Sequence, residues 1–290
     1  MARLWMVGCL LLLACDGDAN KAIEPVGPPP PPPPASHEWK TETRLDGLLP
    51  AGAVPVGVAV DSSGRRFVLD RRTGLHELTA TAAKLVVGTT ELAASAGLGL
   101  EIELTDVAAF APDEFVFTAE NEGFVFDVRT RILSDRFCYL PSPSAPPPVD
   151  AAPTASQRLR MQGIPVKERT EAVAYSPTFG LLFAQPRTVR MDTGAVAGAE
   201  LFMFRLAEEQ PFQTRTIPDE GFLAGGMVAS GQQLLLGVHG RIYRMNAFSD
   251  PTLLRAFEAP VEITGMARDL DGDLLVLDGA GRRLLKISEN

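Results

Sequence analysis

"ITGMARDLDGDLLVLDGAGRRLLKI", residues 263–287, is the stretch that decides the fold. It opens with a short strand of small and apolar residues, turns through Asp269–Asp273, and continues as the apolar run Leu274–Leu277 up to Asp278. A glycine-containing turn follows, then a third strand from Arg283 to Ile287. Short apolar runs bounded by Gly, Asp and Pro are the signature of β-strands and tight turns. The phrase recurs upstream as "VGVAVDSSGRRFVLDRRTGLHELTA" (56–80), "LTDVAAFAPDEFVFTAENEGFVFDV" (104–128), "TEAVAYSPTFGLLFAQPRTVRMDTG" (170–194) and "AGGMVASGQQLLLGVHGRIYRMN" (224–246). In each, the strongly apolar strand ends at Asp70, Glu120, Gln185, His239 or Asp278. The third phrase departs, because its next strand, "AELFMFRL", is expected only after a longer loop.

Equivalent starts lie about 40 to 65 residues apart, near the repeat length of propeller blades. A lone four-stranded meander leaves apolar surface on both faces, and stacking blades around an axis buries both. A β-sandwich has no need of one repeated phrase. The expected fold is therefore an all-β propeller of four-stranded blades over residues 38–290, with five blades. Fourth strands are read at "KLVVG", "RILSDRF", "QTRTI" and "TLLRAFE". The fifth blade ends at Ile287 with three strands, so "EWKTETRLDG" (38–47) is expected to supply the fourth and close the ring, which removes exposed edges. Six blades are the alternative, if residues 89–104 or the 140s to 160s hide a degenerate blade. Residues 141–165 read instead as a proline-rich loop, since proline cannot donate to a strand ladder.

These phrases resemble known propeller repeats. "DLDGDLLVLDGAGRRLLKI" is similar to an NHL-type repeat, with Asp-x-x-Gly-x-Leu-x-Val-x-Asp followed by an Arg-Leu strand. "TEAVAYSPTFGLLFAQ" resembles a phrase of the SdiA-regulated and phytase-like (esterase-like) propellers of exported bacterial proteins. The resemblance covers about residues 50 to 290 and implies the propeller fold. It leaves function open, because propellers host hydrolases, lyases and binding scaffolds alike.

The amino terminus reads as an address. Residues 1–14 hold Arg3 and then a mostly apolar run from Leu4 to Ala14, too short to cross a bilayer and shaped like a signal peptide. Leu12-Leu13-Ala14-Cys15 resembles the bacterial lipobox. That resemblance implies a diacylglyceryl thioether on Cys15, and two acyl chains suffice for stable anchoring. Residues 15–37 then form the lipidated cysteine and a spacer whose Pro28–Pro34 run adopts polyproline II, rising about 3.1 Å per residue. The expected location is the bacterial cell envelope, in the outer or the inner membrane. A net charge of -9 disfavours nucleic acid as a partner. Of three cysteines, Cys9 leaves with the signal and Cys15 carries lipid, so Cys138 has no intramolecular disulfide partner.

Signals for catalysis are sparse. His37, His76 and His239 stand at unlike positions, and no HExxH, GxSxG or paired-cysteine motif occurs. The candidate site residues are carboxylates near the axis, where innermost strands begin. Asp106 and Glu171, with Thr264, are expected at equivalent starts, and Asn121 and Asp278 are added from other blades. Converging oxygens hold a hard cation such as calcium, so Glu171 and Asp106 are the candidate metal ligands. The competing reading has the same carboxylates accepting backbone N–H groups in tight loops. "DLDGD" (269–273) lacks the glutamate a calcium loop needs at its twelfth position, which is Ala280, and reads as a β-turn. The Arg65-Arg66, Arg71-Arg72 and Arg282-Arg283 pairs read as solvated strand ends or as the wall of an anion pocket.

Two functions follow as expectations. One is a monomeric, non-enzymatic envelope lipoprotein that binds protein or glycan partners. The other is a calcium-dependent esterase, lactonase or phosphoesterase-like hydrolase with Asp106 and Glu171 at the axis.

Overall fold

The computed structural model describes residues 39–97, 102–119, 122–138, 154–205, 211, 213–217, 222–230, 233–246 and 249–288. Cys15, the spacer, Glu120, Asn121 and most of the 141–165 segment lie outside the described residues. Five four-stranded antiparallel sheets follow one another along the chain. β1 (Trp39–Arg44) comes first and belongs to the last blade. Blade 1 is β2 (Pro55–Val60), β3 (Arg66–Asp70), β4 (Gly74–Leu78) and β5 (Ala83–Gly88). Blade 2 is β6 (Leu104–Ala111), β7 (Glu114–Ala119), β8 (Glu122–Asp127) and β9 (Ile132–Cys138). Blade 3 is β10 (Val166–Ser176), β11 (Leu181–Arg190), β12 (Val196–Arg205) and β13 (Gln213–Ile217). Blade 4 is β14 (Gly226–Ser230), β15 (Gln233–Val238), β16 (Arg241–Asn246) and β17 (Thr252–Ala256). Blade 5 is β18 (Ile263–Arg268), β19 (Leu274–Asp278), β20 (Arg283–Ile287) and then β1.

The inner strands contact one another in a closed cycle, β2 to β6 to β10 to β14 to β18 and back to β2. The chain is a five-bladed β-propeller. β1 pairs antiparallel with β20 from Trp39 opposite Ile287 to Arg44 opposite Arg283, and Leu45 N–H donates to Arg282 C=O at 2.9 Å. The two ends of the domain are thus zipped into one sheet.

Each gap between neighbouring blades holds its own core. Phe67 and Leu69 of blade 1 meet Phe115, Phe117, Phe124 and Phe126 of blade 2. The alternate residues Val116 and Val125 point the other way, into Val173, Leu182, Phe202 and Phe204 of blade 3. Similar clusters join blades 3 and 4, 4 and 5, and 5 and 1. Burial on both faces explains why the second strands read as continuous apolar runs rather than alternating ones.

Three expectations are corrected. Residues 89–95 form a short helix, α1 (Thr89–Ser95), whose Leu92 enters the core between blades 1 and 2, so no sixth blade hides there. The 141–165 segment is not loop throughout, because α2 (Ala155–Met161) starts at a capping box. Thr154 Oγ1 accepts from Gln157 N–H at 3.1 Å and Gln157 Oε1 accepts from Thr154 N–H at 2.9 Å. The long loop expected in blade 3 is strand. β11 runs on through Pro186 to Arg190 and turns back over 191–195. Pro186, which has no N–H, sits where the β10 register shifts by one residue.

Candidate functional site

The site is built from where the inner strands start. Four of the five carry a one-residue bulge there, at Val56, Thr105, Glu171 and Thr264. This register corrects the expected equivalence. Glu171 aligns with Thr105 and Thr264, whereas Asp106 stands one position further on, with Gly57, Ala172 and Gly265. Likewise Asp70 and Asp278 are equivalent, and Gln185 stands one register position before them.

In the layer after the bulge the inner strands approach one another closely. A Cβ on Gly57 would lie 2.9 Å from Val107 N of the next inner strand, one on Gly265 would lie 2.7 Å from Val58 N, and one on Gly226 would lie 2.6 Å from Met266 N. Between β6 and β10 a carboxylate fills this space instead. Asp106 Oδ2 accepts Val173 N–H of β10 at 2.9 Å and Oδ1 accepts its neighbour Val107 N–H at 2.8 Å. Asp106 is fully buried, and burial pushes its carboxyl well above the usual range against the lowering effect of the two amides.

The other sequence-nominated carboxylates are also engaged. Asp278 accepts from Glu262 N–H (3.1 Å), Gly281 N–H (3.0 Å) and Arg283 Nε (2.9 Å). Asp70 accepts from the amides of Val54, Arg72 and Thr73 and from the Thr73 hydroxyl. Glu171 Oε1 lies 2.7 Å from Arg187 Nη2 and 3.7 Å from Arg169 Nε. Asn121 lies outside the described residues. In the 269–273 turn Asp269 and Asp273 close a hairpin, and the Lys286 ammonium stands among Asp269, Asp271 and Asp273. Among the described residues no group of three or more His, Cys, Asp or Glu side chains converges as a metal site requires. Buried His76 pairs its Nε2 with Thr73 Oγ1 at 2.7 Å, and burial lowers its pKa.

What the strand-start mouth does present is a chain of alternating charges from three blades. Arg71 Nη1 lies 3.2 Å from Glu103 Oε1, and Arg169 Nη1 lies 3.0 Å from the same oxygen. Arg169 and Arg187 then flank Glu171. Blade 3 reaches furthest here because β10 and β11 are the 11- and 10-residue strands. Burial, and next the Arg169 charge, pull the Arg71 pKa below the ordinary arginine range. Of this lattice, sequence reasoning singled out Glu171 and Arg71 but not Glu103, Arg169 or Arg187. A signal existed, since "VKERTE" packs four charged residues into the six positions that open an inner strand.

At the opposite end, where the inner strands finish, the channel opens into a cavity of about 320 Å³. Its wall is largely apolar, with Val60, Ala109, Tyr175, Met266 and the single guanidinium of Arg268 among the lining residues.

No protein-family model matches the chain, and no curated protein matches its sequence. Solved structures similar in fold include the following three. One is a streptogramin B lyase (11% identity, TM-score 0.39, covering 81% of this chain and 65% of that one). Another is a gluconolactonase from Xanthomonas campestris (15%, 0.42, 80% and 71%). The third is a virginiamycin B lyase from Staphylococcus aureus (11%, 0.38, 84% and 68%). The chain spans just under two thirds of the first lyase's length.

Proposed function

We propose that the protein is an exported, lipid-anchored propeller of the bacterial cell envelope that binds protein or glycan partners and does not turn them over. On this reading it is an NHL-type or SdiA-regulated, phytase-like propeller, anchored through Cys15 and held off the membrane by the Pro28–Pro34 spacer. One observation carries the choice of binding over metal-assisted hydrolysis. The two carboxylates nominated as cation ligands already face other partners, Asp106 two backbone amides and Glu171 the charges of Arg187 and Arg169 in an ion-pair lattice. The mouth therefore sets its carboxylates among guanidinium donors, which recognise ligands, and the described carboxylates do not cluster as a metal site requires.

The test uses the full chain in detergent. Calcium is titrated by calorimetry, and a panel of lactones and phosphomonoesters is assayed for turnover. The expected result is no saturable calcium binding and no turnover, with Glu171→Gln altering stability only. One bound calcium per chain together with hydrolysis that chelation abolishes would establish the hydrolase instead.

A further inference from the structure

We propose that the strand-start mouth of the channel is an oxyanion-binding site, in which Arg71, Arg169 and Arg187 grip a carboxylate or phosphate group of a small ligand. This goes beyond the scaffold reading and holds for a scaffold or an enzyme alike.

Three observations lead there. The first is a like-charge pair. Arg169 on β10 stands directly opposite Arg187 on β11. Like charges directly across a sheet are destabilising, so the pair works against the fold unless anions compensate it. The second is the supply of counter-charge. Among the described residues the lattice holds three guanidinium groups and two carboxylates, Glu103 and Glu171, and Glu103 is shared by Arg71 and Arg169. Asp70 is also close to Arg71, but its oxygens are taken by three amides and the Thr73 hydroxyl.

The third observation is the set of donors left over. The Nε atoms of Arg71, Arg169 and Arg187 are all buried and make no hydrogen bond among the described residues. Glu171 Oε1 is close to two of these side chains but is not aligned to accept from either. Buried donors without an acceptor are costly, and three of them in one cluster call for an explanation. Their side chains remain 34%, 21% and 29% exposed, so a ligand arriving from solvent meets the guanidinium groups, and turning them toward it brings the buried Nε atoms to its oxygens. The Nε/Nη edge of arginine matches two oxygens of one carboxylate or phosphate. An oxyanion seated between the blade 1 and blade 3 arginines satisfies the orphan donors and relieves the Arg169–Arg187 repulsion together.

The test is calorimetric titration of the detergent-solubilised full chain at fixed ionic strength, with inorganic phosphate in one arm and glucuronate in the other. Saturable one-to-one binding in at least one arm is expected, and the tighter arm identifies the ligand's chemical source. Arg71→Gln removes one fork while Glu103 keeps Arg169 as a partner, and should weaken binding about tenfold or more, the loss of one charge-assisted contact. Arg71→Lys keeps the charge but loses the fork, and should weaken it as well. Arg244→Gln, at an exposed position on β16, removes the same charge elsewhere and should bind as the parent does. Melting temperatures without ligand confirm that each variant is folded. No saturable binding in either arm, unchanged affinity in folded Arg71→Gln, or an equal loss in Arg244→Gln would overturn the proposal.

Discussion

Asp106 carries a carboxyl group into a layer where three of the other four inner strands have glycine. Its side chain is the link between β6 and β10, so Asp106→Ala strands the Val173 N–H in a buried gap. Equilibrium unfolding should show a loss of about 1–3 kcal/mol for each buried donor left without its acceptor, Val173 N–H and Val107 N–H. Asp106→Asn keeps an acceptor oxygen and should lose less. Glu168 and Glu200 are a second pair of buried carboxylates, under α2, where Ala155 N–H donates to Glu200 Oε1 at 2.7 Å. Burial pushes both above the usual carboxylate range. A carboxyl raised in the folded state contributes most when protonated, and that contribution is lost as pH rises through its folded pKa. Glu200→Gln keeps the acceptor and removes the charge. It should therefore be more stable than the parent at pH 7.5, and the difference should vanish below the ordinary glutamate range. Denaturant titrations at pH 7.5 and 4 check this, and a constant difference would refute it. The sequence made Asp106 and Glu171 stand out as carboxylates on inner strands. Their partners were hidden, because Val173 lies 67 residues from Asp106 and because a one-residue bulge shifts which positions of β10 and β11 align around Glu171.

At the scale of the element, the strand–turn–strand phrase was legible because its causes are local. Apolar runs such as Phe115–Phe117 need burial on both faces, and Gly and Asp punctuate the turns. Phe117 is fully buried and lies 5.7 Å from Phe124 in a stacked pair, so Phe117→Ala should cost about 3–5 kcal/mol in unfolding experiments. Gly74 has φ of 120° and a Cβ there would meet Val87 C=O at 2.1 Å, so Gly74→Ala should disrupt the β3–β4–β5 meander and lower the melting temperature. The fourth strands and the closing strand were found by counting what each blade lacked. The two helices were missed for different reasons. α2 hides behind prolines that mark the whole 141–165 stretch as irregular, although "TASQ" is a capping box. α1 has seven residues and is held by tertiary burial of Leu92 and Ala93, a non-local cause. The length of β10 and β11 was also obscured, because Pro186 argues against a central strand until a bulge opposite it is known.

For the whole molecule, two physical devices make the proposed binding module. Lipid on Cys15 would fix it to a membrane, and Cys15→Ser should abolish labelled-palmitate incorporation and release the chain from the membrane fraction. Ring closure holds the blades around one channel, where Arg71 of blade 1 and Arg169 of blade 3 share Glu103. Closure depends on β1, the strand most distant in sequence from the blade it completes. Amide hydrogen exchange on the full chain reads this directly. The propeller account predicts that Thr41–Arg44 and Arg283–Ile287 exchange slowly and together, with protection comparable to that of β19. Exchange of the 41–44 segment at the rate of an unstructured peptide, with β20 behaving as a free edge, would contradict it.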